Sequence, residues 1–432
     1  MKTGIIGRGV SGLAAARLAE AAGHKIEFFE DSHVSAGKTS SAIFAGFDLL
    51  IVSPGVPPCS PAYRAALGSG VELISEMEFG ARYFDGPMLA VTGTNGKTTT
   101  TELTAHLLQA LGVDARPAGN IGFPLCDICA DILEGRDGKG LLPVIEVSSF
   151  QLERCFTFKP FAAALLNITS DHLNRYHDRM DEYAATKFRI FDRIPVERRV
   201  AGLSLRETPE FKLPVCAGNE ITVSGGDLLH GGKLIVSQQD TQLHGPHNLE
   251  NLAAALELAR IYLGHDALFS PALKTAICEF APGRHRLEQV AEHSGVVFIN
   301  DSKATNPASV IAALQTVSAP GRRNVNLILG GLDKDMDFSA LRGVSGFMKK
   351  GFIIGQCRQK ILDTLNGSFP CELLDTFRDA VTAAARNSVK GDIVLLSPAC
   401  ASMDMFKDYK DRGDQFRELA NNPDIYSALL KI

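Results

Sequence analysis

The stretch from residue 88 to residue 112 constrains the fold more than any other part of the sequence. The apolar strand MLAVT (88–92) runs into the loop GTNGKTT (93–99), and a helical pattern of leucines continues to Gly112. Backbone N–H groups in such a loop cradle phosphate oxygens, while a lysine adds charge and a threonine hydroxyl can reach Mg²⁺. The loop is shorter than the full Walker A pattern, whose first glycine would fall at Val91. The stretch predicts an α/β domain that binds ATP, and the alternative is a structural turn before a helix.

A second glycine-rich turn lies near the N-terminus. Gly7, Gly9 and Gly12 follow a short strand and precede a helix, and Glu30 and Asp31 stand where a dinucleotide-binding domain carries its ribose-binding acid. This pattern favours NAD binding when taken alone. Because a phosphate loop follows some 80 residues later, the turn also fits the diphosphate of a nucleotide-linked substrate, and a purely structural turn stays open.

Strands and helices alternate along three parts of the chain, which predicts three α/β domains. The first (1–84) is Rossmann-like, and the second (85–281) is a phosphate-loop domain with a mostly parallel sheet and a small β-rich section at 212–245. The third (282–432) is again Rossmann-like. Hinges are expected near Asp85-Gly86 and Pro282-Gly283, where the domains would close on their ligands.

Composition excludes several classes of protein. Among the 432 residues the formal net charge is −5, which argues against a nucleic-acid partner. The nine cysteines are scattered, so we expect reduced thiols in a cytoplasm, and the CxxC at Cys126 and Cys129 is interpreted as packing. No apolar run is long enough to span a bilayer. A cytoplasmic protein with small-molecule substrates and no membrane or nucleic-acid partner is expected.

Polar residues follow several of the predicted strands, where open α/β sheets bind ligands. Glu146 ends an apolar strand and is a candidate magnesium ligand, although a solvated glutamate is the alternative. His172 closes the polar run at 167–172, and the run at 300–306 suits a nucleotide, an amino acid or a simple capping turn. Lys187, taken alone, reads as a surface lysine, and Asn248 as a helix cap three residues before Asn251.

In this order, the motifs resemble the Mur ligases of peptidoglycan synthesis over nearly the whole chain. The resemblance rests on GTNGKTT (93–99), GNIG (119–122), EVSSFQLE (146–153), DHLNRYHDRMDEYAATK (171–187), PHN (246–248), GRHR (283–286), NDSKATN (300–306), GGLDKDMDF (330–338) and LSPACASMDMFKDYKDRGDQF (396–416). The last three point to the branch that adds D-glutamate to UDP-N-acetylmuramoyl-L-alanine. The resemblance implies that the γ-phosphate of ATP passes to the substrate carboxylate, and that the amine of D-glutamate then displaces phosphate from the acyl phosphate.

The resemblance also implies roles for individual residues. Lys97, Glu146, His172 and Lys187 would be catalytic; Thr98 and Glu146 would hold one Mg²⁺, and His172 and a carbamylated Lys187 the second. ATP would contact Gly93, Thr94, Asn95, Gly96, Lys97, Thr98, Thr99, Asn248, Asn251, Arg286 and Asp301. The other substrates would contact Ser11, Asp31, Ser32, Gly55, Asn120, His172, Lys303, Thr305, Lys334, Ser402 and Tyr409. We expect a monomer.

Two residues depart from the family pattern, and other functions stay open. His33 stands where arginine is frequent, which affects the expected uridine contacts, and Tyr409 replaces a phenylalanine. The alternatives are a nicotinamide-dependent oxidoreductase resting on the first glycine turn, a non-catalytic nucleotide-binding regulator, and a folylpolyglutamate synthase with a similar phosphate loop.

Overall fold

The computed structural model describes residues 1–34, 40–136, 140–206, 214–365 and 367–426. Two compact units contain them, and each is described by itself. The first comprises Met1–Ile168, Arg175–Thr241 and Glu250–Phe280, and the second comprises Thr169–Asn174, Gln242–Leu249 and the chain from Ala281 onward. Among the described residues, no helix has both the length and the apolar character needed to cross a membrane.

The N-terminal part of the first unit is built on a four-stranded parallel sheet in the order β2-β1-β3-β4. Its elements are β1 (Lys2–Ile6), α1 (Val10–Ala21), β2 (Lys25–Phe29), β3 (Leu49–Val52), α2 (Pro61–Leu67), β4 (Leu73–Ser75) and α3 (Glu76–Tyr83). The strands pair in parallel because each is joined to the next by a crossover that packs back on the sheet. Phe29, Phe44 and Phe47 pack edge to face or tilted beside β1 and β3 and close the core.

The phosphate loop belongs to a five-stranded parallel sheet in the order β6-β7-β5-β8-β9. Its elements are β5 (Leu89–Thr92), α4 (Lys97–Ala110), β6 (Ala115–Gly119), α5 (Leu125–Leu133), β7 (Leu142–Glu146), α6 (Ser149–Leu152), β8 (Ala162–Leu165), α7 (Met180–Phe188), β9 (Arg199–Ala201) and α8 (Leu203–Arg206). The central strand β5 is fully buried, as expected for a parallel sheet covered on both faces.

A small antiparallel sheet follows, in the order β10-β11-β12. Its strands are β10 (Ile221–Ser224), β11 (Asp227–His230) and β12 (Lys233–Ser237), and the helices α9 (Pro246–Leu263) and α10 (Pro271–Glu279) come after them. Glycine pairs at 225–226 and 231–232 with positive φ make both hairpin turns. Within the predicted β-rich section at 212–245, the strands lie at 221–237, and residues 212–213 lie outside the described residues.

The second unit contains a six-stranded sheet in the order β13-β14-β18-β15-β16-β17, parallel except for the β13–β14 pair. Its elements are β13 (Glu288–His293), β14 (Val296–Asn300), α11 (Pro307–Val317), β15 (Val325–Gly330), β16 (Met348–Ile354), α12 (Arg358–Leu365), β17 (Cys371–Leu373), α13 (Phe377–Arg386), β18 (Ile393–Leu396), α14 (Tyr409–Ala420) and α15 (Pro423–Tyr426). Separate apolar clusters cover its two faces. The predicted α/β class is confirmed; the bounds of the three domains stay predictions.

Candidate active site

The loop between β5 and α4 has the backbone shape that phosphate binding needs. Gly96 caps α4 with φ +83°, a left-handed conformation, and a Cβ on it would overlap the Asn251 side chain. The Asn95 backbone N–H donates to Asn167 Oδ1 at 2.9 Å, and Asn167 Nδ2 donates back to the Asn95 carbonyl at 3.2 Å. Asn167 thus holds the loop in place. The polar run at 167–172 is visible in the sequence, but nothing in it predicts this role for Asn167.

Lys97 and Lys187 both bring an ammonium group to the same loop. Lys97 Nζ donates to the carbonyls of Gly93 (3.0 Å) and Thr94 (2.8 Å), and Lys187 Nζ donates to the Gly93 carbonyl at 2.8 Å. Lys187 is only 1% exposed and lies 4.6 Å from the centroid of the Tyr183 ring, one turn earlier on α7. The interpretation of Lys187 as a surface lysine is therefore wrong: helical spacing cannot reveal that this face of α7 packs on the phosphate loop.

Glu146 and Thr98 form a buried pair of oxygen groups beside the start of α4. Glu146 ends β7 and is 2% exposed. Its Oε2 accepts a 2.6 Å hydrogen bond from Thr98 Oγ1, and its Oε1 accepts one of 2.7 Å from Asn120 Nδ2. Both carboxylate oxygens are satisfied by neutral donors. The solvated alternative for Glu146 is thereby excluded, and two hard oxygen ligands lie side by side next to the phosphate loop.

Helix α9 carries the two asparagines predicted near the nucleotide. In the first unit, Asn251 Oδ1 accepts from Thr100 Oγ1 at 3.2 Å and lies close to Gly96, so it borders the phosphate loop. In the second unit, Asn248 Nδ2 donates to the His244 carbonyl at 2.9 Å, one turn before it. Thr94 and Thr99 are 5% exposed, and the Thr94 hydroxyl lies 3.2 Å from that of Tyr183.

Some of the candidate substrate-binding residues in the N-terminal part serve the packing of the chain, whereas others have space beside them. A Cβ on Gly12 would overlap the Gly7 carbonyl, so this glycine is required by packing, whereas Gly9 and Gly55 have no heavy atom within 4 Å of such a Cβ. Asp31 accepts from the Ala62 backbone N–H at 3.1 Å and from the Ser60 hydroxyl, which fixes the start of α2. Ser11, in the first turn of α1, and Ser32, next to Asp31, stay predicted substrate contacts.

His33 is held by its own turn. The Glu30 backbone N–H donates to His33 Nδ1 at 2.9 Å, within a capping box formed by these two residues. The ring nitrogen that faces the backbone is thus an acceptor. A long arginine side chain at this position could not accept this bond, which gives the departure from the family pattern a local structural role.

Asp301 is the most strongly perturbed acid among the predicted site residues. It is 8% exposed, and it accepts from Ser397 Oγ at 2.9 Å and from the Leu287 backbone N–H at 3.3 Å. Burial raises its pKa to about 7, against the opposing effect of Ser397 and the nearby charge of Arg286. Asp301 therefore exchanges a proton near neutral pH.

Lys303 and Tyr409 lie together although 106 positions separate them. Lys303 Nζ lies 4.0 Å from the centroid of the Tyr409 ring, within the range of a cation–π contact. Ser402 is 3% exposed, whereas Lys334 and Thr305 are half-buried in loops after β15 and β14. The structure thus brings Lys303 next to Tyr409, and the contact with D-glutamate stays a prediction for all five residues.

Arg412 organises this part of the second unit, and sequence reasoning gave it no role. Its guanidinium donates to Ser302 Oγ (2.9 Å) and the Ser302 carbonyl (2.8 Å), and to the carbonyls of Cys400 (3.1 Å) and Ala401 (3.4 Å). It is 1% exposed, and burial lowers its pKa to about 10, so it stays charged at neutral pH. The only signal in the sequence is its place inside the motif at 396–416.

His172 lies in the second unit beside Asp171. Its φ of +54° is unusual for a residue other than glycine, and its Nε2 lies 3.6 Å from Asp171 Oδ1. Asp171 also accepts a 3.4 Å hydrogen bond from Asn306 Nδ2, which ties this turn to the start of α11. That His172 and Lys187 share a metal ion stays a prediction.

Comparison with known proteins places the chain in a family. The Mur ligase middle domain matches residues 91–207, and the Mur ligase glutamate ligase domain matches residues 285–400. A UDP-N-acetylmuramoylalanine--D-glutamate ligase from Salinibacter ruber is 34% identical, with 96% of each chain covered. One from Solibacter usitatus is 36% identical over 88% of this chain and 86% of its own.

A solved structure agrees with this result at the level of the fold. UDP-N-acetylmuramate-alanine ligase from Thermotoga maritima superposes with a TM-score of 0.59 at 18% identity, covering 97% of this chain and 98% of its own. The domain matches and the two relatives, which extend over most of the sequence, show that the chain belongs to the Mur ligase family.

Proposed function

We propose that this protein joins D-glutamate to UDP-N-acetylmuramoyl-L-alanine in an ATP-dependent reaction of peptidoglycan synthesis. Relatives that bear this activity in their names share more than 30% of their residues with it over most of the chain. The observation that carries the proposal is the hydrogen-bonded Thr98–Glu146–Asn120 cluster, in which Thr98 and Glu146 are buried, beside Lys97 and the phosphate loop. The glycine turn at Gly7, Gly9 and Gly12 then serves the diphosphate of the UDP substrate rather than NAD.

The chemistry requires the carboxylate of the alanyl substrate to be activated. One of its oxygens attacks the γ-phosphorus of ATP, ADP leaves, and the resulting acyl phosphate reacts with the neutral amine of D-glutamate. The amide C–N bond forms, and the C–O bond to the phosphoryl group breaks. Phosphate leaves with the bridging oxygen that came from the carboxylate, and the amine loses a proton. Negative charge gathers on the transferred group, so Lys97 offsets it from within the loop.

The donors beside the phosphate loop fit Mg²⁺. The Thr98 hydroxyl and the Glu146 carboxylate lie 2.6 Å apart, and both are hard oxygen ligands of the type that Mg²⁺ prefers. When bound, the ion would neutralise phosphate charge and orient the γ-phosphoryl group. Asn120 keeps the Glu146 carboxylate in position. This hydrogen bond competes with the predicted role of Asn120 as a direct substrate contact.

Lys187 would hold a second Mg²⁺ together with His172 after carbamylation. An ammonium cannot coordinate a cation, whereas addition of its neutral amine to CO₂, with loss of one proton, yields an anionic carbamate with two oxygens. The burial of Lys187 and its contact with the Gly93 carbonyl support this role, because they place the amine at the loop itself.

The remaining contacts form three groups. ATP would meet Asn248, Asn251, Arg286 and Asp301 around its base and ribose, and D-glutamate would meet Lys303, Thr305, Lys334, Ser402 and Tyr409. Uridine diphosphate would meet Ser11, Asp31, Ser32 and Gly55. In this proposal the protein works in the cytoplasm as a monomer of three domains (1–84, 85–281 and 282–432). Small-angle scattering should detect closure when ATP analogue and UDP substrate are added together.

Phosphate release under single-substrate omission tests the proposal. We expect release that requires ATP, UDP-N-acetylmuramoyl-L-alanine and D-glutamate jointly, with an amide product of matching mass. L-glutamate with a folate, or an oxidised nicotinamide cofactor, tests the alternatives in parallel. Phosphate release without the muramoyl substrate, folate-dependent turnover or hydride transfer would each contradict the proposal.

A further inference from the structure

Two histidines and a glutamate meet on the small antiparallel sheet of the first unit, away from the residues assigned above. Glu220 precedes β10, and His230 ends β11. His265 begins the 3₁₀ turn His265–Phe269 that follows α9. Three separate segments of the chain therefore contribute one polar side chain each.

The spacing of the three groups matches one face of a metal tetrahedron. His230 Nε2 lies 3.0 Å from Glu220 Oε2, His265 Nδ1 lies 3.1 Å from His230 Nε2, and His265 Nδ1 lies 3.7 Å from Glu220 Oε2. A tetrahedral Zn²⁺ with bonds of about 2.0–2.1 Å separates its ligand atoms by about 3.3 Å. The observed distances bracket that value, so one ion can reach all three atoms without rearrangement of the backbone.

A buried arginine orients the carboxylate. Arg260, 6% exposed, donates from Nη1 to Glu220 Oε1 at 2.9 Å. Its other nitrogens donate to Glu257 Oε2 at 2.7 Å and to the Gly218 carbonyl at 2.9 Å. Because one oxygen of Glu220 is held in this way, the other is directed at the histidines. Outer partners of this kind are typical of metal sites.

The two imidazole rings are also held in place. Their centroids lie 4.8 Å apart with a tilt of 35°, and the His230 ring lies 6.3 Å from that of Phe269. His230 is only partly exposed, with 17% of its side chain accessible. Solvent therefore reaches the cluster mainly from the side of His265 and Glu220, which leaves room for a water molecule as fourth ligand.

We propose that Glu220, His230 and His265 bind a divalent transition metal, with Zn²⁺ as the preferred ion, which fastens the β10–β12 sheet to the end of α9. Two imidazoles and one carboxylate suit zinc rather than magnesium, which prefers oxygen ligands throughout. On binding, both imidazoles are neutral, and each presents the lone pair of the named nitrogen to the metal. The site shares no residue with the proposed ATP site.

Zinc titration of the full, untagged and reduced protein in excess Mg²⁺ tests the proposal. Isothermal titration calorimetry should show one Zn²⁺ equivalent that His230→Gln and His265→Gln each weaken by about 100-fold or more. His177→Gln is the matched control, because His177 Nδ1 also lies 3.0 Å from a carboxylate, that of Glu182, on an exposed surface. The control should bind zinc as the unmodified protein does.

A second measurement does not depend on the variants folding. Co²⁺ added to the unmodified protein should give the intense visible absorption of a tetrahedral site, and one equivalent of Zn²⁺ should abolish it. The midpoint temperature of thermal unfolding should also rise when Zn²⁺ is added to the unmodified protein and to His177→Gln, but not when it is added to His230→Gln. Zinc binding of equal strength in all variants, or no cobalt spectrum, would overturn the proposal.

Discussion

Buried charge is used in opposite ways at the phosphate loop and around Arg412. At the loop, the Glu146 carboxylate is held by the neutral donors Thr98 and Asn120, and the Lys97 and Lys187 ammonium groups donate to backbone carbonyls. In the second unit, the charge of Arg412 is spread over four acceptors of the chain itself. The first arrangement keeps charge ready for a ligand, whereas the second uses charge to hold backbone segments together.

Because of this difference, a substitution should mainly change activity at the phosphate loop and mainly change stability around Arg412. Removing a charged group at the phosphate loop should reduce activity more than stability, because the group's main partners are expected to be phosphate and metal. Removing Arg412 should reduce stability first, because it leaves buried carbonyls without a donor. The predictions below test this contrast, beginning with the largest expected effect.

Lys187→Ala should lower kcat by about 10³-fold or more, because it removes the proposed anionic metal ligand. Short carboxylic acids should partly restore the rate, since they supply the missing oxygens. Steady-state phosphate release with and without such acids measures both effects. Lys159→Ala, at an exposed lysine of the same unit, is the control and should stay active. Full activity of Lys187→Ala without added acid would remove Lys187 from the mechanism.

Glu146→Gln should lower kcat by about 10²-fold to 10³-fold and raise the Mg²⁺ concentration needed for half-maximal rate. Glutamine keeps the size of the side chain and can still accept from Asn120, but it lacks the charge that a cation requires. The midpoint of thermal unfolding should change little. A variant with normal magnesium dependence would show that Glu146 serves only to hold Thr98 and Asn120.

Much of the fold could be predicted from the sequence because its determinants are local. An apolar run indicates strand β2, and a proline indicates the start of helix α11. Glycines indicate the phosphate loop, and all three elements are observed at these places. The spacing of Tyr183, Lys187 and Ile190 predicts a helix from Met180 to Phe191, whereas α7 ends at Phe188, where a 3₁₀ turn takes over. Errors of this kind are small, since terminal turns of a helix lose their backbone partners and tighten readily.

The site was harder to predict where distant segments meet. Nothing in the spacing of α7 shows that Lys187 reaches the Gly93 carbonyl, 94 positions earlier. The same holds for Arg412, whose partners at 302 and 400–401 lie in the loops after β14 and β18. The resemblance to the family supplied the proposed role of Lys187, whereas the contacts of Arg412 are visible only in the folded chain.

Arg412→Leu should destabilise the protein by about 3–5 kcal/mol, because four buried contacts lose their donor. Urea unfolding followed by circular dichroism measures the loss of stability, because the chain has no tryptophan whose fluorescence could report unfolding. Lys410→Leu, an exposed cation on the same helix, should change the free energy of unfolding by no more than about 0.5 kcal/mol. Equal stability of the two variants would show that the Arg412 contacts are not what holds these loops.

The last prediction concerns Asp301, whose pKa is raised to about 7 by burial. Between its ordinary pKa near 4 and this value, the folded state keeps a proton that the unfolded state releases, so stability falls as pH rises. The slope is up to about 1.4 kcal/mol per pH unit, and it ends above pH 7, where both states are ionised.

Asp301→Asn removes this titration, so the variant should gain stability relative to the unmodified protein between pH 5 and pH 8. Urea unfolding at both values gives the difference directly, and other titrating groups cancel because both proteins contain them. If Asp301 also contacts the nucleotide ribose, the variant should bind ATP more weakly even where it is more stable. Parallel stability profiles would mean that Ser397 and Arg286 keep Asp301 ionised throughout, and that the second unit uses this acid, like Arg412, as a permanent charge.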